Sequence, residues 1–160
     1  MKTISTWKRL EEGIWTHLQD TQSKQQAFVH RFYDSASAGN LLPIQPADFL
    51  LIREGVSCFI EAKFSERHQT LVSCFSGSVK QHQLTSAYLT NRAGCRYRIL
   101  FYSLSAGRAE VWDGLMCYER RQESKRLRRE EALAVFDTVQ EAMDWIVDET
   151  TPLACFRRKK

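Results

Sequence analysis

Two apolar runs joined by a turn constrain this chain more than any other feature. Residues 49–52 (Phe-Leu-Leu-Ile) and 56–64 (Val-Ser-Cys-Phe-Ile-Glu-Ala-Lys-Phe) are rich in β-formers, and Arg53-Glu54-Gly55 between them offers a tight turn whose glycine can take positive φ. The expected unit is a β-hairpin. Side chains alternate faces along a strand, so Phe59, Glu61 and Lys63 share one face while Cys58, Ile60, Ala62 and Phe64 share the other. Antiparallel pairing brings Asp48, at the entrance to the first strand, beside Glu61 and Lys63. Two acids and a lysine then converge at the end of an otherwise apolar sheet, where charge is costly unless it is paired or metal-bound.

Two carboxylates a short distance apart make a hard-oxygen cage suited to Mg²⁺ or Mn²⁺, with the carbonyl of Ala62 available as a further ligand. Lys63 can orient an attacking water and offset charge building on a phosphate. This is the chemistry of metal-assisted phosphodiester cleavage. The bland alternative is a surface hairpin on which Glu61 and Lys63 form an ordinary ion pair, the commoner fate of charged residues. Spacing alone does not separate the two.

Pro46-Ala47-Asp48, twelve intervening residues and then Glu61-Ala62-Lys63 resemble the signature of the PD-(D/E)xK nuclease superfamily. Leu10-Glu11-Glu12-Gly13-Ile14 is similar to the Leu-Glu-x-x-Ile of the opening helix in RecU-type Holliday junction resolvases, and Lys80-Gln81-His82-Gln83-Leu84 to the His-Gln of the same group. The resemblance implies Asp48, Glu61, Lys63, Gln83 and Glu11 as catalytic residues, and Asp48, Glu61, Ala62 and Glu11 as the holders of Mg²⁺ or Mn²⁺. It further implies a DNA substrate and a homodimer. RecU-type enzymes carry a longer elaboration where this chain has the short Ser-, Ala- and Gly-rich stretch 34–40, a stretch that reads as a mobile loop.

The rest of the chain reads as a frame for that hairpin. Ser5 or Thr6 can cap a first helix to about residue 18, with Trp7, Leu10, Ile14, Trp15 and Leu18 at helical spacing. At 100° per residue Glu11 falls inside that stripe and Glu12 outside it. Glu11 either meets a partner there or snorkels to the rim. Residues 28–33 alternate as a strand. Residues 65–78 read as a polar loop with a small apolar centre, 79–92 as a second helix, and 96–104 and 108–118 as two strands with Trp112 inside. Thr138 to Glu141 form a capping box opening a last helix to about residue 148, with Val139, Ala142, Met143, Ile146 and Val147 inward.

Arg120, Arg121, Lys125, Arg126, Arg128 and Arg129 place six cations in ten residues. Such a run is usually a solvated face, but near a cleft it neutralises phosphates with salt-dependent affinity, and Lys80 adds a further candidate DNA contact. The net charge of +4 tilts modestly towards anionic partners. A basic tail, about 152–160, adds nonspecific DNA affinity if disordered.

At 160 residues, 43% hydrophobic and 26% charged, the expectation is one globular domain. The five cysteines are scattered without a Cys-x-x-Cys pair, so they read as reduced thiols of a cytoplasmic protein. No apolar leader or span of transmembrane length is present, so neither export nor a membrane partner is expected. The expected fold is α/β, a restriction-endonuclease-like core with a central mixed sheet of four or five strands flanked by helices, in the order helix, three strands, helix, two strands, helix. The expected function is Mg²⁺-dependent DNA cleavage, structure-specific in the manner of a junction resolvase. The alternatives are another nuclease on the same fold (nicking, restriction-like or a transposition subunit) and a DNA-binding module without catalysis.

Overall fold

The computed structural model describes residues 4, 6–33 and 45–152. The hairpin forms as its pattern requires. β2 (Phe49–Arg53) pairs antiparallel with β3 (Val56–Ser65) in the register Phe49 to Ile60 through Arg53 to Val56. The turn is Glu54-Gly55, both at positive φ (50° and 78°), the mirror-image geometry that matches strand twist. β1 (Phe28–Arg31) pairs antiparallel with the outer side of β2.

The connection after β3 contains more structure than a polar loop. It holds a 3₁₀ turn at Leu71–Ser73, a short α2 (Phe75–Ser78) and α3 (Gln81–Arg92) before β4 (Arg96–Ser103) pairs parallel with β3. Buried Glu110 fixes the start of this connection, accepting hydrogen bonds from the Thr70 hydroxyl and the Leu71 N–H at 3.0 Å each.

The region after β4 departs from the expected single strand. β5 (Arg108–Asp113) ends at Asp113, whose carboxylate accepts from the N–H groups of Leu115 and Met116 at 2.9 and 3.3 Å and so starts α4 (Gly114–Gln122). β6 (Ala134–Phe136) then pairs with β5 and extends the sheet to six strands, in the order β1-β2-β3-β4-β5-β6. The expectation of four or five strands is corrected by this short strand, which exists only through that pairing.

α1 runs over Trp7–Ser23, with the Thr6 hydroxyl accepting from the Arg9 N–H at its start, and it continues more than a turn past the expected end near residue 18. α5 (Val139–Glu149) opens on the Thr138 and Glu141 capping box and buries all five expected residues.

The sheet thus has two covered faces. Leu10, Ile14 and Leu18 of α1 and Met143 and Ile146 of α5 pack with Phe49, Leu51, Ile60, Ala62 and Leu100 on one side. Leu84 and Ala87 of α3 and Cys117 of α4 pack with Tyr97, Ile99, Phe101 and Trp112 on the other. This is an α/β fold with a mixed six-stranded sheet between helices. Among the described residues no helix is long and apolar enough to cross a membrane.

Candidate active site

Pleat alternation sends Ile60 and Ala62 into the α1 side of the core and turns Glu61 and Lys63 to the α3 side. Both charged residues are buried there, 3% and 8% exposed. The Lys63 Nζ lies 2.9 Å from Glu61 Oε1. Gln83, in the first turn of α3, donates its side-chain N–H to the same Oε1. Glu61 Oε2 lies 3.5 Å from the Tyr97 hydroxyl, which donates to the Pro46 carbonyl at 2.8 Å.

Asp48 stands where the first hairpin strand begins. Its N–H donates to the Ile60 carbonyl at 3.1 Å, and its Oδ2 accepts from the Ala62 N–H at 2.8 Å. The acid therefore continues the ladder with its side chain where β2 has run out, which locks it against the Glu61-Ala62-Lys63 segment. A strand residue's N–H and C=O leave the same edge, so the Ala62 carbonyl also faces the Asp48 side.

Burial is the dominant influence on both acids. It raises the Asp48 carboxyl from 3.8 to about 7, with the neighbouring Glu61 charge adding to the effect and the Ala62 N–H, Lys63 and Arg31 opposing it. Burial likewise raises Glu61, against the opposing attraction of Lys63 and its hydrogen bond. The Tyr97 hydroxyl is pushed well above its usual value by burial and by these two acids. Lys63 and Arg31 oppose the rise of Asp48 without outweighing the burial of its carboxyl.

A cavity of about 650 Å³ opens over these groups. Asp48, Glu61, Lys63, Gln83, Glu11 and Lys80 all line it, so the residues singled out from three separate parts of the sequence share one space. Glu11, partly buried on α1, has its Oε2 3.5 Å from the Arg31 guanidinium. Among the described residues no group of three or more His, Cys, Asp and Glu is close enough to hold a metal ion, so a three-carboxylate cage is not assembled.

Arg31 is one of the cavity residues that sequence reasoning missed, with Trp7, Lys8, Glu12, Phe32 and Tyr33. It projects from edge strand β1, lies 5.8 Å from the centre of the Tyr33 ring and lines the cavity with Phe32 and Tyr33. Nothing in its local pattern signals the position, which depends on α1 packing across the sheet end.

The basic run lies elsewhere, and none of its six cations lines the cavity. Arg120 pairs with Glu131, and Lys125 with Glu123 at 2.8 Å. Arg121 donates to the carbonyls of Phe75 and Val79 at 3.2 and 3.0 Å while its guanidinium sits 4.6 Å from the Phe75 ring centre. Arg128 lies 3.9 Å from Glu131, and Arg126 and Arg129 are exposed. The stretch 34–40 and residues 153–160 of the basic tail fall outside the described residues.

No protein-family model matches the chain, and no curated protein matches it in sequence. Among solved structures it is similar to Hjc of Archaeoglobus fulgidus, a Holliday junction resolvase from an archaeal hyperthermophile. The two superpose with a TM-score of 0.53 at 13% identity, over 87% of this chain and 98% of that one. That likeness is one of fold, and it does not single out the RecU type.

Proposed function

We propose that this protein is a metal-dependent DNA endonuclease of the PD-(D/E)xK type, acting on branched DNA as a junction resolvase does. The observation that carries the reading is the convergence of Asp48, Glu61, Lys63 and Gln83 in one cavity, with both carboxylates buried and both raised by that burial. An ordinary surface ion pair does not account for a Glu61 and Lys63 that are both more than nine-tenths buried. Similarity in fold to a Holliday junction resolvase supports the same reading.

The donor set fits a hard divalent cation. Two carboxylates and the Ala62 carbonyl are oxygen ligands of the kind Mg²⁺ and Mn²⁺ take, and a bound cation would favour the ionised form of both acids, which burial disfavours. When bound, the ion supplies Lewis-acid polarisation of the phosphate and neutralisation of its charge.

The chain's own groups do the rest. Lys63 donates towards the attacking water and offsets charge on the phosphate. Gln83 fixes the Glu61 carboxylate from the side opposite the hairpin. Glu11 positions Arg31, which with Lys80 adds positive charge to the cavity where the DNA backbone enters. One such site cuts one strand, so symmetric cleavage of a four-way junction calls for a homodimer. The compartment we assign is the cytoplasm, consistent with the free thiols of Cys58, Cys74, Cys95 and Cys117.

Manganese titration by calorimetry tests the site itself. Wild-type protein is expected to bind Mn²⁺ with an affinity that Asp48→Asn and Glu61→Gln each weaken at least tenfold, on the order of 1.4 kcal/mol. Unchanged affinity in both variants removes the metal from this cavity.

A further inference from the structure

We infer that the cavity takes an unpaired base of its DNA substrate, stacked on the wall formed by Trp7, Phe32 and Tyr33, with the adjoining backbone phosphate at Lys63 and Arg31. This rests on the nuclease reading for the identity of the ligand and adds to it the form of DNA that fits.

Three aromatic side chains line a cavity that otherwise presents charge. Trp7 and Tyr33 are 36% and 61% exposed, so the wall is not core packing that happens to reach the surface. Two of the three rings are set beside a cation. Lys63 Nζ lies 5.8 Å from the Trp7 ring centre, and the Arg31 guanidinium 5.8 Å from that of Tyr33. Phe32 is the outer member of a ladder of near-parallel rings. It stacks on Phe59 at 6.3 Å and 17°, and Phe59 stacks on Tyr97 at 6.5 Å and 20°. Tyr97 in turn reaches Glu61, so the ladder links the aromatic wall to the acids.

Aromatic faces interleaved with cations are the pattern that holds single-stranded nucleic acid, the cations taking the backbone and the rings taking bases. In continuous duplex both faces of every base are already occupied by neighbouring pairs. Only an unpaired or splayed nucleotide, as at a branch, flap or gap, offers a face to this wall. The wall therefore selects against uninterrupted duplex at the point of cleavage, a discrimination that the acids and lysine alone do not provide.

The test uses oligonucleotides carrying the fluorescent base 2-aminopurine, with divalent ions chelated so that binding is read without cutting. One probe places 2-aminopurine as the first unpaired nucleotide of a flap, and the other places it within continuous duplex of the same sequence. Wild-type protein is expected to bind the flap more tightly and to quench its fluorescence by stacking. Tyr33→Ala and Trp7→Ala should each weaken flap binding about 5- to 100-fold with loss of quenching, while Tyr33→Phe retains both. Tyr33 is mostly exposed, so its alanine variant decides the matter if Trp7→Ala does not fold. Equal affinity for the two probes without quenching, or full quenching in both alanine variants, overturns the inference. Adding Mg²⁺ separates the two readings. Cleavage of flap and duplex alike without quenching discards the stacked base and keeps the nuclease. Quenching without cleavage discards the nuclease and keeps the stacked base, and binding of neither probe discards both.

Discussion

Gln83 ties Glu61 to the start of α3 with a single amide: its Nε2 donates to the Glu61 carboxylate while its Oε1 accepts the Lys80 N–H at 2.9 Å. A helix terminus that needs a capping partner is thus used to hold a carboxylate in place. Gln83→Leu removes both bonds at similar volume. Cleavage by this variant is expected to fall about 10- to 100-fold, the usual cost of losing the group that orients a ligand, with the melting temperature lowered only slightly. Steady-state cleavage rates together with thermal melts check this, and unchanged rates would leave Gln83 a helix cap only.

The titration of Asp48 carries a prediction for the metal-free protein. A carboxyl whose folded value is raised from 3.8 to about 7 contributes most stability when protonated, and that contribution is lost as pH rises through this window. Each tenfold change in proton affinity corresponds to about 1.4 kcal/mol. The difference in stability between wild type and Asp48→Asn should therefore turn against wild type between about pH 4 and 7, measured by urea unfolding in chelator. Mg²⁺ should restore wild type above that range and have little effect on the variant. A pH-independent difference contradicts a carboxyl raised by burial.

Much of this site was legible in the sequence because alternation and turn chemistry are local. The period-2 pattern of residues 56–64 and the Glu54-Gly55 turn specify both hairpin strands and put Glu61 and Lys63 on one face. The helical wheel of α1 puts Glu11 rather than Glu12 on the side of its apolar stripe, and Glu11 is the more buried of the two. What was not legible depends on contacts distant in sequence. β6 is three residues long and exists by pairing with β5, and Arg31 reaches Glu11 only once α1 crosses the sheet end. The break between β5 and α4 did leave a signal, since Asp113-Gly114 is a helix N-cap pattern inside what otherwise reads as a continuous strand.

Gly114 makes that break possible. A Cβ there would come within 2.5 Å of the Tyr97 ring and 3.0 Å of the Ala87 side chain, where α4 passes closest to β4 and α3. Gly114→Ala is expected to destabilise by roughly 1–3 kcal/mol through overpacking. Because Tyr97 backs Glu61, it should lower cleavage as well. Calorimetric melting checks the first effect; an unaltered melting temperature would mean the Tyr97 ring yields freely.

The cations of residues 120–129 divide into two kinds. Arg121 satisfies two carbonyls and covers Phe75, so Arg121→Ala should cost roughly 1–3 kcal/mol of stability. Arg126 and Arg129 are exposed, and alanine there should leave melting unchanged. If this face meets DNA, each of those two substitutions lowers the salt slope of binding by about one ion. Fluorescence anisotropy across a series of salt concentrations reads this, and an unaltered slope in the double variant places the DNA elsewhere.

The most direct measurement is cleavage of labelled four-way junction, flap, linear duplex and single-stranded DNA with Mg²⁺ or Mn²⁺, comparing wild type with Glu61→Ala and Lys63→Ala. Wild type is expected to cut the junction in symmetry-related strands and to leave the linear duplex intact, and each variant to lose about 100-fold or more. Cutting of the flap alone would keep the nuclease and remove the junction. Metal-dependent cleavage that survives in Glu61→Ala, or no cleavage of any of the four substrates by wild type, would contradict the assignment of this cavity as the active site.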